Sequence, residues 1–190
     1  MPAFKAADFR LHAEDDDERG ATVIGDLVAA KLRASAVPSD VLVLSTTRKG
    51  SVGVDALNIR IQEVVNSAAP DRCEMPYRSR VIHEGDRIMQ IRNNMRTRSF
   101  LNGDFGYLVD MDALKGCAFV AFTGGRGVEM DREALRYTTR TYAVTVHKAQ
   151  GSDFKHVIAP ITTGRYVMLA RNIFYTLVSS ARERCDLVGT

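Results

Sequence analysis

No phosphate-binding loop occurs anywhere in this 190-residue chain. There is no G-x-x-x-x-G-K-[ST] string, and Arg48-Lys49-Gly50-Ser51 only echoes the end of one, without the first glycine at the right offset. No acidic pair follows an apolar run as a magnesium ligand would. Taken alone, the chain is therefore expected not to hydrolyse ATP. Cysteine is scarce: Cys73, Cys117 and Cys185 are odd in number, far apart and form no C-x-x-C. They read as reduced thiols in a cytoplasmic protein, against a disulfide framework or a zinc site. The four histidines, His12, His83, His147 and His156, have no ligand spacing with them, so no metal is expected. No apolar run approaches the roughly 20 residues of a membrane span. The N-terminus lacks the apolar core of a secretory signal.

What is there is ordinary globular material, 45% hydrophobic and 26% charged, enough for one compact domain or one with a small insert. Net charge is only +3, so distribution matters more than sum. The acidic run Glu14 to Glu18 precedes a helix near 18–35, where negative charge favours the positive helix end. Residues 78–98 carry Arg78, Arg80, Arg87, Arg92, Arg96 and Arg98, either a phosphate surface or a solvated face of a small β unit.

Phe9–His12 reads as a short strand. Val41-Leu42-Val43-Leu44-Ser45 is a continuous apolar run, as expected of a strand buried on both faces of a parallel sheet. A polar, glycine-bearing loop follows, then a helix with Leu57, Ile61, Val64 and Val65 on one face. Such a strand–loop–helix junction is where α/β sheets usually place ligand contacts. Pro70 to Pro76 reads as a turn-rich link. From about Ile82 to Thr138, short β runs separated by glycine suggest a small barrel. Asn102, Gly103 and Asp104 are first of all turn residues. Near the end, Val157–Ile161 reads as a buried strand, Arg171–Arg182 as a helix and Cys185–Gly189 as the last strand.

The stretch Thr145-Val146-His147-Lys148-Ala149-Gln150-Gly151-Ser152 mixes steerable hydrogen-bonding groups, one point charge and a closing glycine. By composition it is either a polar connection between strands or a short helical turn meeting a phosphate. TVHKAQGSDF resembles motif V of superfamily 1 helicases, most closely the RecD and conjugative-relaxase branch. VLVLSTTRKGSVGVDALNIRIQEVVN resembles the motif IV neighbourhood of that branch, with Thr46 where proline is usual. GDRIMQIRNN and FLNGDFGYLVDMD resemble its inserted small barrel. RNIFYTLVSSARERCDLVG resembles motif VI, except that Ser180 stands at the family's arginine and Ser179 at its threonine.

The resemblance runs from about Phe9 to Gly189 and covers only the second half of a helicase motor. It implies an α/β fold: a RecA-like parallel sheet flanked by helices, with an inserted small β-barrel of Src-homology-3 type. The expected organisation is residues 1–80 and 139–190 as the two parts of the lobe and 81–138 as the barrel. It implies contact of Thr145, His147 and Lys148 with single-stranded DNA, with Arg48 and Lys49 as weaker candidates for either polyanion. Gln150, Gly151 and Ser152 would couple the DNA to the nucleotide side, and Asp153 would face the nucleotide sugar. ATP and Mg2+ are implied only together with a P-loop-bearing first lobe, supplied in cis or in trans. An arginine finger contributes on the order of 10³–10⁵ in rate, and serine cannot replace it. Arg182, two positions on in a helix, would point about 200° away. The alternative expectation is a non-catalytic nucleic-acid-binding or protein-docking module derived from such a lobe. A self-contained nucleotide-binding enzyme is a third reading, opposed by the missing phosphate loop.

Overall fold

A computed structural model describes residues 8–34, 38–77, 80–92, 102–149, 153–161 and 171–190. The chain forms two compact units. The first combines residues up to Val65 with those from Tyr142 onward, and the second runs from Asn66 to Thr141.

The first unit is a five-stranded, all-parallel sheet in the order β1-β12-β11-β2-β10. Its strands are β1 (Phe9–His12), β2 (Val41–Ser45), β10 (Ala143–Thr145), β11 (Phe154–Ile161) and β12 (Ala181–Gly189). Every residue of β2 is buried, as its unbroken apolar run predicts. Helices α1 (Asp17–Arg33) and α2 (Val54–Val65) pack on each other and on the sheet. Ile24, Val28, Leu57 and Ile61 meet Val41, Val43, Ala143, Ile158 and Val188 in one core. The four-residue α4 (Val146–Ala149) touches β2 and β10, and α5 (Arg171–Ser179) touches β11 and β12.

Local chemistry sets the helix ends. Asp16 caps α1 by accepting the Arg19 N–H at 2.8 Å, and Asp17 and Glu18 occupy its first turn. The expected final helix runs to Arg182, but α5 stops at Ser179. The Ser180 N–H and hydroxyl both donate to the Thr176 carbonyl, at 3.0 and 2.7 Å. Strand β12 begins at once at Ala181, four residues before the expected Cys185. Arg182 therefore lies on a strand, and a helical rotation does not apply to it.

The second unit holds a hairpin of β3 (Glu74–Tyr77) and β4 (Arg80–His83), and an antiparallel five-stranded sheet in the order β8-β7-β6-β5-β9. The latter contains β5 (Arg87–Gln90), β6 (Phe105–Asp112), β7 (Cys117–Phe122), β8 (Arg126–Met130) and β9 (Thr138–Arg140), with a single turn of helix, α3 (Arg132–Leu135), before β9. The unit begins at Asn66, where the sequence reading divides the chain at 80/81. Glu74–Tyr77, read as part of a turn-rich link, is a strand because it pairs with Arg80–His83. Gly103 has φ +102° and its N–H donates to the Gln90 carbonyl at 2.8 Å, so it serves the turn. Of the arginine-rich segment, Arg78, Arg96 and Arg98 lie outside the described residues. Arg87 is 2% exposed with its guanidinium 4.7 Å from the Phe105 ring, so it belongs to neither a phosphate surface nor a solvated face. Arg92 is exposed, over Tyr137.

Candidate nucleic-acid interface

The parallel register sets β2 and β10 side by side, Ser45 opposite Thr145. Both strands end there, and the chain leaves each at its carboxyl end. From β2 it enters the loop 46–53, which carries Arg48 and Lys49. From β10 it enters α4, which carries His147 and Lys148. Thr145, half-buried, is the last residue of β10.

The loop is fixed from inside. The buried Ser45 hydroxyl donates to the Val52 carbonyl at 2.8 Å and accepts the Thr47 N–H at 3.2 Å. Gly50 takes φ +90°, and Gly53 returns the chain so tightly that a Cβ there would lie 2.6 Å from the Arg48 and Lys49 carbonyl oxygens. Only glycine fits that approach. The first N–H groups of α2 are occupied: Val54 donates to the Thr47 carbonyl at 3.0 Å and Asp55 to the Arg48 carbonyl at 3.2 Å. The anion-binding capacity that a free helix start would offer is therefore used internally, and side chains are left to meet a polyanion.

Those side chains are exposed. His147 and Lys148 project outward from α4, while Val146 and Ala149 are buried beneath them. Burial first, and the positive charge of Arg48 second, hold the Lys148 ammonium below its ordinary value. Arg48 and Lys148 therefore share one electrostatic neighbourhood although 100 residues separate them. Among the described residues, Arg48 has a long contact with Asp55, 4.0 Å. Asn58 secures the edge strand that carries α4: its amide donates to the Ala143 carbonyl at 2.8 Å and accepts the Ala143 N–H at 3.0 Å. Sequence reading missed Asn58; a polar residue on the inner face of an apolar helix is the signal that could have found it.

The other expected site residues divide. Gln150, Gly151 and Ser152 lie outside the described residues. Asp153 lies just before β11, at the amino ends of the strands, where Phe154 pairs with Ala181. By register Asp153 is about seven residue steps, roughly 23 Å, from Ser45 along the sheet. Thr145 and Asp153 thus stand at opposite ends of the same sheet. The Asp153 carboxylate accepts from the Arg182 guanidinium at 3.2 Å. Ser180 is 5% exposed and its hydroxyl is spent on Thr176. Among the described residues there is no group of three or more His, Cys, Asp or Glu side chains able to hold a metal, and no helix long and apolar enough to cross a membrane.

Comparison with known proteins fits this geometry. The UvrD-like helicase C-terminal domain matches residues 140–188, and the SH3 domain of ATP-dependent RecD-like DNA helicases matches residues 57–122. The ATP-dependent RecD2 DNA helicase of Deinococcus radiodurans is 31% identical over 163 residues, 86% of this chain and 22% of that protein. The RecBCD enzyme subunit RecD of Mycolicibacterium smegmatis is 27% identical over 172 residues, 90% of this chain and 28% of that protein. The chain thus spans about a quarter of the length of these relatives. In fold it is similar to Bacteroides Pif1, solved bound to ssDNA, with TM-score 0.56 and 16% identity, covering 87% of this chain and 45% of that one. Pif1 helicase from Candida albicans gives TM-score 0.54 at 14% identity, over 92% of this chain and 55% of that one. A RecA-like parallel sheet with an inserted unit of Src-homology-3 type defines the C-terminal lobe of a superfamily 1 helicase. Within that class, the chain belongs to the RecD-like branch.

Proposed function

We propose that this lobe binds the backbone of single-stranded DNA at the carboxyl ends of β2 and β10, and that it serves an ATP-dependent helicase by completing the nucleotide site of a P-loop-bearing first lobe. The observation that carries the DNA reading is the convergence of Arg48, Lys49 and Lys148 on adjacent parallel strand ends, with Lys148 sensing the charge of Arg48. Cations on a fixed loop and a fixed helical turn meet phosphates without reading bases, so binding is sequence-tolerant and weakens with salt. His147 adds a hydrogen-bonding group beside Lys148, and Thr145 a hydroxyl at the strand end. Gln150, Gly151 and Ser152 couple the bound strand to the nucleotide side in this reading.

The described residues do not form an ATP site by themselves. Ser180 brings no charge, and Asp153 is engaged by Arg182. ATP and Mg2+ therefore enter this reading only with the first lobe.

The test is a salt titration of single-strand binding. Lys148→Ala is expected to weaken binding about equally across sequences and to reduce the slope of log K against log[salt] by roughly 0.7, one phosphate contact. Unchanged affinity and slope would remove Lys148 from the DNA surface.

Ser180 favours a second reading, a non-catalytic nucleic-acid-binding or docking module. Immunoblotting of the native polypeptide separates the two. A band far above 21.0 kDa supports the helicase reading; one at that size supports the module.

A further inference from the structure

Glu18 sits in the first turn of α1, 33 residues before Ser51, yet its carboxylate accepts the Ser51 hydroxyl through Oε1. Through Oε2 it accepts the Arg60 guanidinium of α2 at 3.2 Å. The same guanidinium donates to the Thr22 hydroxyl at 2.6 Å, and that hydroxyl donates to the Glu18 carbonyl at 3.1 Å. Glu18, Thr22 and Arg60 close a ring across α1 and α2, and Ser51 attaches the loop 46–53 to it. Inside the loop, Ser45 and Gly53 fix the backbone; Val52 anchors it in the core that α1 lines, and Ser51 is its hydrogen-bonded tie to α1.

We propose that Glu18 is a positioning residue for the polyanion surface. It holds the Ser51 limb of the loop, and so the direction in which Arg48 and Lys49 leave it, without touching the nucleic acid. This rests on the backbone-binding reading above. Exposed ion pairs contribute little to folding, so stability alone is a weak reason for the ring. Holding long cationic side chains near their bound geometry lowers the ordering cost of binding, which is a better one.

The sign of the effect makes the proposal testable. Glu18 is an anion close to a surface that meets an anion. By charge alone, Glu18→Gln would remove a repulsion and tighten binding. By positioning, it weakens binding. The experiment is fluorescence anisotropy of the chain with a fluorescein-labelled oligodeoxythymidylate across a salt series, for wild type, Glu18→Gln, Ser51→Ala, the double variant and Asp17→Asn. Asp17 removes the same charge one residue away, outside the ring. Expected are losses of about threefold to tenfold for Glu18→Gln and for Ser51→Ala, the scale of one ordinary hydrogen bond. The double variant should be no weaker than Ser51→Ala alone, because Glu18→Gln acts through the same bond, which it weakens by replacing a carboxylate acceptor with an amide oxygen. The salt slope should stay at the wild-type value, since no phosphate contact is lost. Asp17→Asn should bind as wild type or slightly tighter. Unchanged or tighter binding by Glu18→Gln, or additive losses in the double variant, would overturn the proposal while leaving the DNA reading intact. Absence of salt-dependent binding by the wild type would overturn the DNA reading, and this proposal with it.

Discussion

At the carboxyl ends of β2 and β10, Lys49 and Lys148 have no ion-pair partner among the described residues, and Arg48 there has a long contact with Asp55. At the amino ends of β11 and β12, roughly 23 Å away along the same sheet, charge cancels: Asp153 holds Arg182 and the Ser180 hydroxyl is turned inward. The first end is unsatisfied but rigid, because Ser45, Gly53 and Asn58 lock the backbone beneath the cations. At the second, the Asp153 carboxylate is already taken by Arg182. Rigid backbone with unpaired side chains is what a binding surface needs, because the ordering cost is already met. The difference explains why the DNA part of the reading stands on geometry while the nucleotide part needs another lobe.

The sharpest way to break the first end is to remove its scaffold. Asn58→Leu leaves the buried Ala143 N–H and C=O without the amide that satisfies them. Each orphaned group costs ~1–3 kcal/mol, so a loss of about 3 kcal/mol is expected in urea unfolding. A much smaller loss would show that the β10 edge, and with it the placement of α4, does not depend on α2.

Removing the charge while keeping the scaffold is the next step down. Arg48→Ala, Lys49→Ala and Lys148→Ala combined should lower single-strand affinity on the order of 100-fold near 0.1 M salt, with no loss of fold. The pH dependence refines this. Burial and Arg48 hold the free Lys148 ammonium below 10.5. A phosphate beside it favours the charged form and raises its pKa in the complex. Affinity is therefore level below the free pKa and falls as pH rises through it, and Lys148→Ala should abolish that fall. Persistence of the fall in the variant would assign it to another group.

Much of the parallel sheet was legible because its strands are unbroken apolar runs: Val41–Ser45 is observed at the residues expected. The strand at Ala181 was not, because Ala181 continues the helical spacing of Ile173, Phe174, Leu177 and Val178 and so reads as the end of that helix. Among the described residues, β1 pairs with β12 from Cys185 onward, and β11 is the neighbour of its first residues. The Ser180 turn that ends the helix is a side-chain bond to the backbone four residues earlier, without a propensity signal. The loop 46–53 was legible as polar and glycine-bearing, but its tie to Glu18 was not. The acidic run reads as helix-start charge, and a contact across 33 residues leaves no local pattern.

The smallest expected effect tests whether the two ends are independent. Asp153→Asn breaks an exposed ion pair and frees Arg182. Exposed pairs contribute little, so the urea midpoint should not move. Salt at 0.1 M screens the long-range field of the freed cation, so oligonucleotide affinity should change little there. A rise confined to low salt is the screened long-range field and leaves the comparison standing. A rise that survives at 0.3 M salt, where the field is damped, would mean that bound strand reaches Arg182 directly. The nucleic-acid path would then run along the sheet from one end to the other, and the division between a binding end and a silent end would be lost.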